Sequence, residues 1–379
     1  MNIASISIPS TPLIKPGKFY DLVILTLTFL MVGFSLLMVY STTGVISSEK
    51  FADPYYYLKR QLVAVIIGII FMFAFAKVKI SFLEKISVFC LPVAFLLLLA
   101  TLLPGIGDSA GGAKRWINLG FMRFQPAECV KLLFIIFIAG YLSRHESKLQ
   151  TFKAGIVKPF IFVCLVAGLL LMQPDFGSAA VIALISFSMV AVSGARLRHM
   201  AFCGLVLAMC AATLIAISPY RMKRVVSFMS PWADASGKGY QLIQSLIAVG
   251  SGQATGVGLG SSQQKLFFLP AAHTDFIFAV IGEELGFVGC ILVLTLFLLF
   301  LWRGFYLASR VSSNVFAFSL TCGLTLLIAL PALLNIGVVT GMLPTKGLVL
   351  PLIGYGGTSI VTCLSAIGLL LALSRGEKI

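Results

Sequence analysis

Long apolar runs alternate with short polar segments over nearly the whole chain. Uncharged or nearly uncharged runs fall at about 22–43, 61–76, 86–103, 127–143, 156–172, 176–195, 200–218, 276–302, 315–340 and 354–374. Each approaches the ~20 apolar residues that cross a hydrocarbon core as a helix, the form that satisfies its own backbone hydrogen bonds there. The pattern predicts an all-α polytopic membrane protein of about ten transmembrane helices. Residues 1–20 are polar, and the first run stays uncharged through Ser48. That is too long for a signal-peptide core and shows no small-residue cleavage site, so it reads as an uncleaved first helix behind a short tail. Residues 21–376 then form a single transmembrane domain, with a large loop at about 219–275 between helices 7 and 8.

The polar segments set the orientation. The N-terminal tail, 77–85, 144–158, 196–199, 303–310 and the C-terminus together carry 15 Lys and Arg, against seven in the short loops on the other side. Both termini are therefore expected in the cytoplasm and the large loop outside. Within that loop Tyr240, Leu242, Ile243, Leu246 and Ile247 recur at helical spacing. The stripe is too short to span, so it fits either a groove wall for a lipid substrate or a loop helix packed on the bundle.

Composition agrees. Of 379 residues 59% are hydrophobic and 11% charged, against about 25% charged in soluble domains. So few charges cannot clothe a soluble globule of this size. The net charge of +15 then reflects topology and anionic head groups rather than nucleic acid. The eight cysteines form no CxxC pair and sit in or beside apolar runs, as small core residues do, and three widely spaced histidines (His145, His199, His273) offer no zinc constellation. The glycine-rich stretches 256–260 and 354–357 follow no strand of a βαβ unit, which argues against a nucleotide site.

Ionisable residues at membrane depth are costly, which marks each as a candidate for function. They gather in four outward-facing places. In the first, Lys114 and Arg115 beside Trp116 could grip a phosphate or serve as an interfacial anchor. Downstream, Pro126 opens a helix with Glu128 in its positive first turn, three residues from Lys131 on the same face. In the second, Asp175 follows Gln173-Pro174 and opens the next helix, where a cap is the ordinary explanation. In the third, His273-Thr274-Asp275 leads to Glu283-Glu284. Asp275 lies at the outer mouth of a helix, either as its N-cap or as a carboxylate able to take a proton from a hydroxyl. Glu283 lies roughly 12 Å further along, and one of the paired glutamates Glu283 and Glu284 is expected to meet a buried cation such as Lys131. In the fourth, Lys346 precedes a glycine-rich segment and could snorkel or contact phosphate. Together these describe a polar, cation-ringed site beside apolar helices, suited to an amphiphile with an anionic head. They do not choose between moving that molecule and reacting it.

The segments GAKRWINLG, QPAECVKL, QPDFGS, SPYRMKRVVSF, GYQLIQSLIA, GLGSSQQKL, LPAAHTDFIFAVIGEELG and PTKGLVLPLIGYGGTS run in order from about 111 to 359. By these the chain resembles the SEDS family (shape, elongation, division and sporulation), with SPYR, GLGSSQQK and IGEELG closer to its division branch than its elongation branch. Departures are small: Gly354 where serine is usual, Thr358 beside the glycine pair, and Gln-Pro-Ala-Glu for Gln-Pro-Ser-Glu. The resemblance implies a peptidoglycan glycosyltransferase that polymerises lipid II at the outer face of a bacterial cytoplasmic membrane, at the division septum. It implies Asp275 as the catalytic carboxylate and Lys114, Arg115, Arg221, Arg224, Lys265 and Lys346 as contacts to the pyrophosphate. Trp116, Glu128, Lys131, Asp175, His273 and Glu283 would build the site. It implies a class B penicillin-binding protein and other division proteins as partners; no cofactor is established, and a divalent cation stays open. A lipid II flippase, an elongation-type polymerase and a recruiting scaffold are the competing readings.

Overall fold

The computed structural model describes residues 20–376 apart from 104–106, 111–112, 119, 121–122, 236, 238, 267 and 345–346. In chain order the bundle comprises α1 (Leu22–Phe51), α2 (Tyr56–Phe75) and α3 (Ile80–Leu102), then strands β1 (Gly107–Ala110), β2 (Ala113–Asn118) and β3 (Arg123–Phe124). It continues through α4 (Pro126–Arg144), α5 (Lys158–Met172), α6 (Phe176–Val192), α7 (Leu197–Ile217), α8 (Pro219–Met229), α9 (Tyr240–Ser251), α10 (Ile277–Arg310), α11 (Val315–Val339) and α12 (Gly357–Ser374). Among the described residues nine helices are long and apolar enough to cross a membrane, and α6, at 17 residues, is the tenth apolar helix. The ten runs read from the sequence are these ten helices.

Burial follows from position in the bundle. α4, α11 and α12 are largely buried, whereas α2, α3 and α7 turn most of their apolar side chains outward. Ile70, Phe89, Leu96, Leu205 and Leu298 stand in the open, as lipid-facing positions do. At one end Asp21 caps α1 by accepting from Val23 and Ile24 (3.1 Å each), pairs with Arg303 near the end of α10 (2.8 Å), and donates its amide to Ser374 of α12 (3.1 Å). Three flanks that the charge count put on one side thus meet in space.

Two features depart from the expected all-α plan. Strands β1, β2 and β3 form an antiparallel sheet, in which Trp116 lies opposite Asp108 and Arg123 reaches the same Asp108 at 3.4 Å. Its strands are too short to leave a periodic signal. Second, α10 is broken at Gly286 (φ 66°, ψ −160°). The stretch from Phe287 onward is by itself longer than a bilayer needs, so Ile277–Leu285 is a separate outer segment. The amides and carbonyls freed by the break are taken up by the segment after α9. Phe287 and Val288 donate to the carbonyls of Gln253 and Ala254 (2.8 and 3.1 Å), while Val257 and Gly258 donate to those of Glu283 and Glu284 (3.0 Å each). This is the repair that a broken helix requires where water cannot help. α9 itself packs on the bundle. It buries Leu242, Ile243 and Ala248, and Ser245 donates to the Val339 carbonyl at 2.8 Å.

Candidate functional site

Asp275 lies in the turn that precedes α10. The cap position there is Phe276, so Asp275 stands one residue ahead of the cap position that the sequence allowed it. It is half-buried, and its Oδ2 lies against Gly347, where a β-carbon would stand 2.9 Å away. The backbone is held from below. The Asn335 amide of α11 donates to the Asp275 carbonyl (2.7 Å) and to the Leu348 carbonyl (2.6 Å), tying the carboxylate's turn to the segment before α12. Asn335 is only 1% exposed. As an uncharged side chain it carries little signal in the sequence, although it is the one carboxamide in the 315–340 run.

The neighbouring loop is anchored in the same manner. Tyr355 donates its amide to the His273 carbonyl (2.9 Å), Ser35 of α1 donates to the Ile353 carbonyl (2.8 Å), and Gln61 of α2 spans the Gly354 carbonyl and the Gly356 amide at 3.3 Å each. Ser35 and Gln61 are fully buried. His273 is held neutral by burial and, secondarily, by Lys50, which together lower its pKa to about 4.

The adjacent glutamates point to different partners. Glu283 receives the Ser262 hydroxyl and the Gln263 amide (2.9 Å), and Glu284 receives Lys265 (2.8 Å) and the Ser41 hydroxyl of α1 (2.7 Å). One of the two glutamates does meet a buried cation, as expected, but it is Glu284 and the cation is Lys265 rather than Lys131. Lys131 is bound to Glu128 at 2.7 Å, one turn along α4, while the segment returning from α9 supplies the donors to Glu283. Lys265 is likewise reassigned: 5% exposed and locked to a fully buried carboxylate, it holds the loop to the break and is withdrawn from solvent and from phosphate.

Asp175 caps α6, accepting from the Ser178 amide (3.1 Å) and hydroxyl (2.8 Å). Arg115 uses Nε and Nη2 on the carbonyls of Gln173 (3.0 Å) and Pro174, the free acceptors at the end of α5. It fastens the small sheet to the Gln-Pro-Asp turn, a use the sequence did not suggest. Asp175 in turn lies within electrostatic range of Lys131, so the Gln-Pro-Ala-Glu and Gln-Pro-Asp-Phe segments converge. Thr358 joins them to α12 by accepting from the Gln125 amide at 3.0 Å. Lys346 lies outside the described residues, as do the side chains of Lys114, Arg221 and Arg224; the backbone of the last two is in α8. Among the described residues no three His, Cys, Asp or Glu side chains converge as metal ligands would.

A polytopic helical membrane protein with a carboxylate held at the outer mouth of a broken helix is the class that this geometry defines. Residues 21–379 match the family model for the FtsW/RodA/SpoVE cell cycle proteins, and the chain belongs to that family. It is 42% identical over 360 residues to the "Probable peptidoglycan glycosyltransferase FtsW" of Coxiella burnetii, covering 94% of this chain and 96% of that one. It is 40% identical over 359 residues to the stage V sporulation protein E of Bacillus subtilis, covering 94% and 98%. Among solved structures it resembles a chain of a peptidoglycan synthase complex that coordinates polymerization and crosslinking (TM-score 0.76, 30% identity, 95% and 99% covered). It also resembles the rod shape determining protein RodA of Thermus thermophilus (TM-score 0.69, 26% identity, 95% and 98% covered).

Proposed function

We propose that the chain is a peptidoglycan glycosyltransferase that polymerises lipid II at the outer face of the cytoplasmic membrane during division. The observation that carries the reading is Asp275: a half-buried carboxylate at a helix mouth, in a turn fixed through its backbone by a buried asparagine. In the proposed step Asp275 takes the proton from the 4-hydroxyl of the acceptor sugar. That oxygen bonds to the anomeric carbon of the donor with inversion, and the bond to the lipid pyrophosphate breaks with its electrons leaving on the phosphate oxygen. Lys114, Arg221, Arg224 and Lys346 remain the proposed cations for that leaving group. Glu128, Lys131 and Asp175 support the site from within the bundle.

A lipid II flippase would need mobile charge at membrane depth. Glu128, Lys131 and Glu283 are each engaged in close hydrogen bonds or an ion pair, which favours the transferase. A class B penicillin-binding protein is the proposed partner for cross-linking, in line with the synthase complex that the chain resembles, and the septum is the proposed location. The test is direct. The purified chain, with and without its cognate penicillin-binding protein, receives labelled lipid II, and glycan length is read on a gel. Polymer that vanishes in Asp275→Asn supports the reading. Polymer that persists in the mutant, or lipid II crossing vesicles without polymer, overturns it.

A further inference from the structure

We infer that Tyr57, His273 and Tyr355 form an aromatic wall that binds a sugar ring of the substrate beside Asp275, with His273 giving one hydrogen bond to a sugar hydroxyl. The inference rests on the proposed function for the identity of its ligand, and on geometry for its place.

The three rings come from three separate elements: the start of α2, the turn before α10 and the loop before α12. Their centroids lie 5.3 Å (Tyr57 to His273), 5.1 Å (Tyr57 to Tyr355) and 5.7 Å (His273 to Tyr355) apart, with planes inclined by 39°, 86° and 57°. Each side chain is half-buried, so the cluster keeps exposed ring surface. Ring faces carry partial negative charge and attract the weakly positive C–H groups along one side of a pyranose. The wall is also rigid beforehand. The Tyr355 amide is bonded to the His273 carbonyl, and Ser35 and Gln61 hold the loop on which Tyr355 sits. A preorganised site loses less entropy when it binds.

His273 supplies the chemical sign of a ligand. Its Nδ1 is buried and has no hydrogen-bond partner. Leaving such a group unsatisfied is costly, and a ligand hydroxyl would remove that cost. A neutral imidazole carries one acceptor and one donor nitrogen, the complement of a hydroxyl. Exposed Lys50 lies within electrostatic range of His273, and exposed Arg60 within range of Tyr57 and Tyr355. Rings flanked by cations suit a sugar that bears phosphate. The stack of Phe51 on Tyr56 continues onto Tyr57 at 5.8 and 5.5 Å, so the wall is one end of a larger aromatic cluster, the end to which His273 brings ring nitrogens beside the Asp275 turn.

Two variants test the wall in the complex of the full chain with its penicillin-binding protein. His273→Phe keeps a ring and removes the orphan nitrogen; Tyr57→Leu removes a ring. Binding of labelled lipid II is titrated in nanodiscs in an Asp275→Asn background, and KM and kcat are measured with Asp275 intact. The expected result is a roughly tenfold weaker Kd and a raised KM for each variant, a factor worth about 1.4 kcal/mol. His273→Phe should melt at or above the wild-type temperature, because it removes an unsatisfied buried group. His273→Asn, which restores a polar partner, should recover part of the binding. If Tyr57→Leu fails to fold, His273→Phe and His273→Asn carry the test alone. Unchanged Kd and KM in His273→Phe, with wild type polymerising normally, would overturn the wall. If wild type makes no polymer yet lipid II binding still weakens in His273→Phe, the transferase reading fails and the wall stands.

Discussion

The Asp275 carboxylate lies against Gly347 so closely that a β-carbon at that position would come within 2.9 Å of Oδ2. The glycine before Leu348 therefore makes room for the carboxylate that is proposed to react. Gly347→Ala should push the carboxylate aside while leaving the fold intact. Displacements near 1 Å cost up to about 10²-fold in rate, so polymerisation should fall about 10- to 100-fold in kcat with KM little altered. Turnover at the wild-type level would show that the carboxylate has room to shift without loss.

Asn335 joins the same carboxylate's turn to the Leu348 segment through two short bonds. Asn335→Ala leaves two carbonyls without donors, each costing about 1–3 kcal/mol if it stays buried. The melting temperature in detergent should fall and polymerisation should be lost. Asn335→Asp should do the same, because a carboxylate cannot donate. A stable, active Asn335→Asp protein would remove Asn335 from the support of Asp275.

Lys265 and Glu284 form a buried pair, and breaking one side of such a pair typically costs about 3–5 kcal/mol because the other charge is stranded. Lys265→Met and Glu284→Leu should each lower thermal stability sharply. The double substitution should recover most of the loss, since an apolar replacement of both partners leaves no lone charge. It should also polymerise, as a loop anchor would and a phosphate ligand would not. Additive damage in the double variant would break the pairing argument.

His273 is held at about 4, below the ordinary 6.5, by burial and then by Lys50. Between those values the unfolded chain takes up a proton that the folded chain refuses. The contribution of this residue to stability is therefore full above about pH 6.5 and is lost as pH falls towards 4. Thermal melts of wild type and His273→Phe at pH 7 and pH 5 measure it. The advantage of the variant should grow on acidification; an equal offset at both pH values would argue against a neutral buried histidine.

The ten apolar runs were legible because lipid demands length and apolarity from each helix separately. The outward carboxylates were legible for the converse reason, that charge is rare there. What the sequence withheld was pairing. A buried cation for the glutamate pair was legible but its identity was not: Lys265, on a segment folded back from α9, reaches Glu284, while Lys131 is held by Glu128 one turn away on its own helix. The break at Gly286 was hidden because a glycine inside an apolar run looks like a small packing residue. Arg115 looked like a phosphate contact because a carbonyl cap on another helix leaves no spacing signal. Asn335, Gln61 and Ser35 were not legible because an uncharged polar residue inside a span is cheap enough to occur without a functional reason.

The broken helix has a consequence for how this sequence can change. A β-carbon at Gly286 would lie 2.4 Å from the Gly256 nitrogen, and one at Gly256 would lie 2.1 Å from the Glu284 carbonyl oxygen. Both residues also have positive φ, 66° and 82°, which side chains resist. Gly286 cannot therefore be replaced while the Gly256 backbone stays where it is, nor Gly256 while the Glu284 backbone does, and replacing both adds the two clashes without relieving either. Drift one residue at a time has no passable route through this pair. A lineage could leave it only by rebuilding the returning segment and the outer end of α10 together.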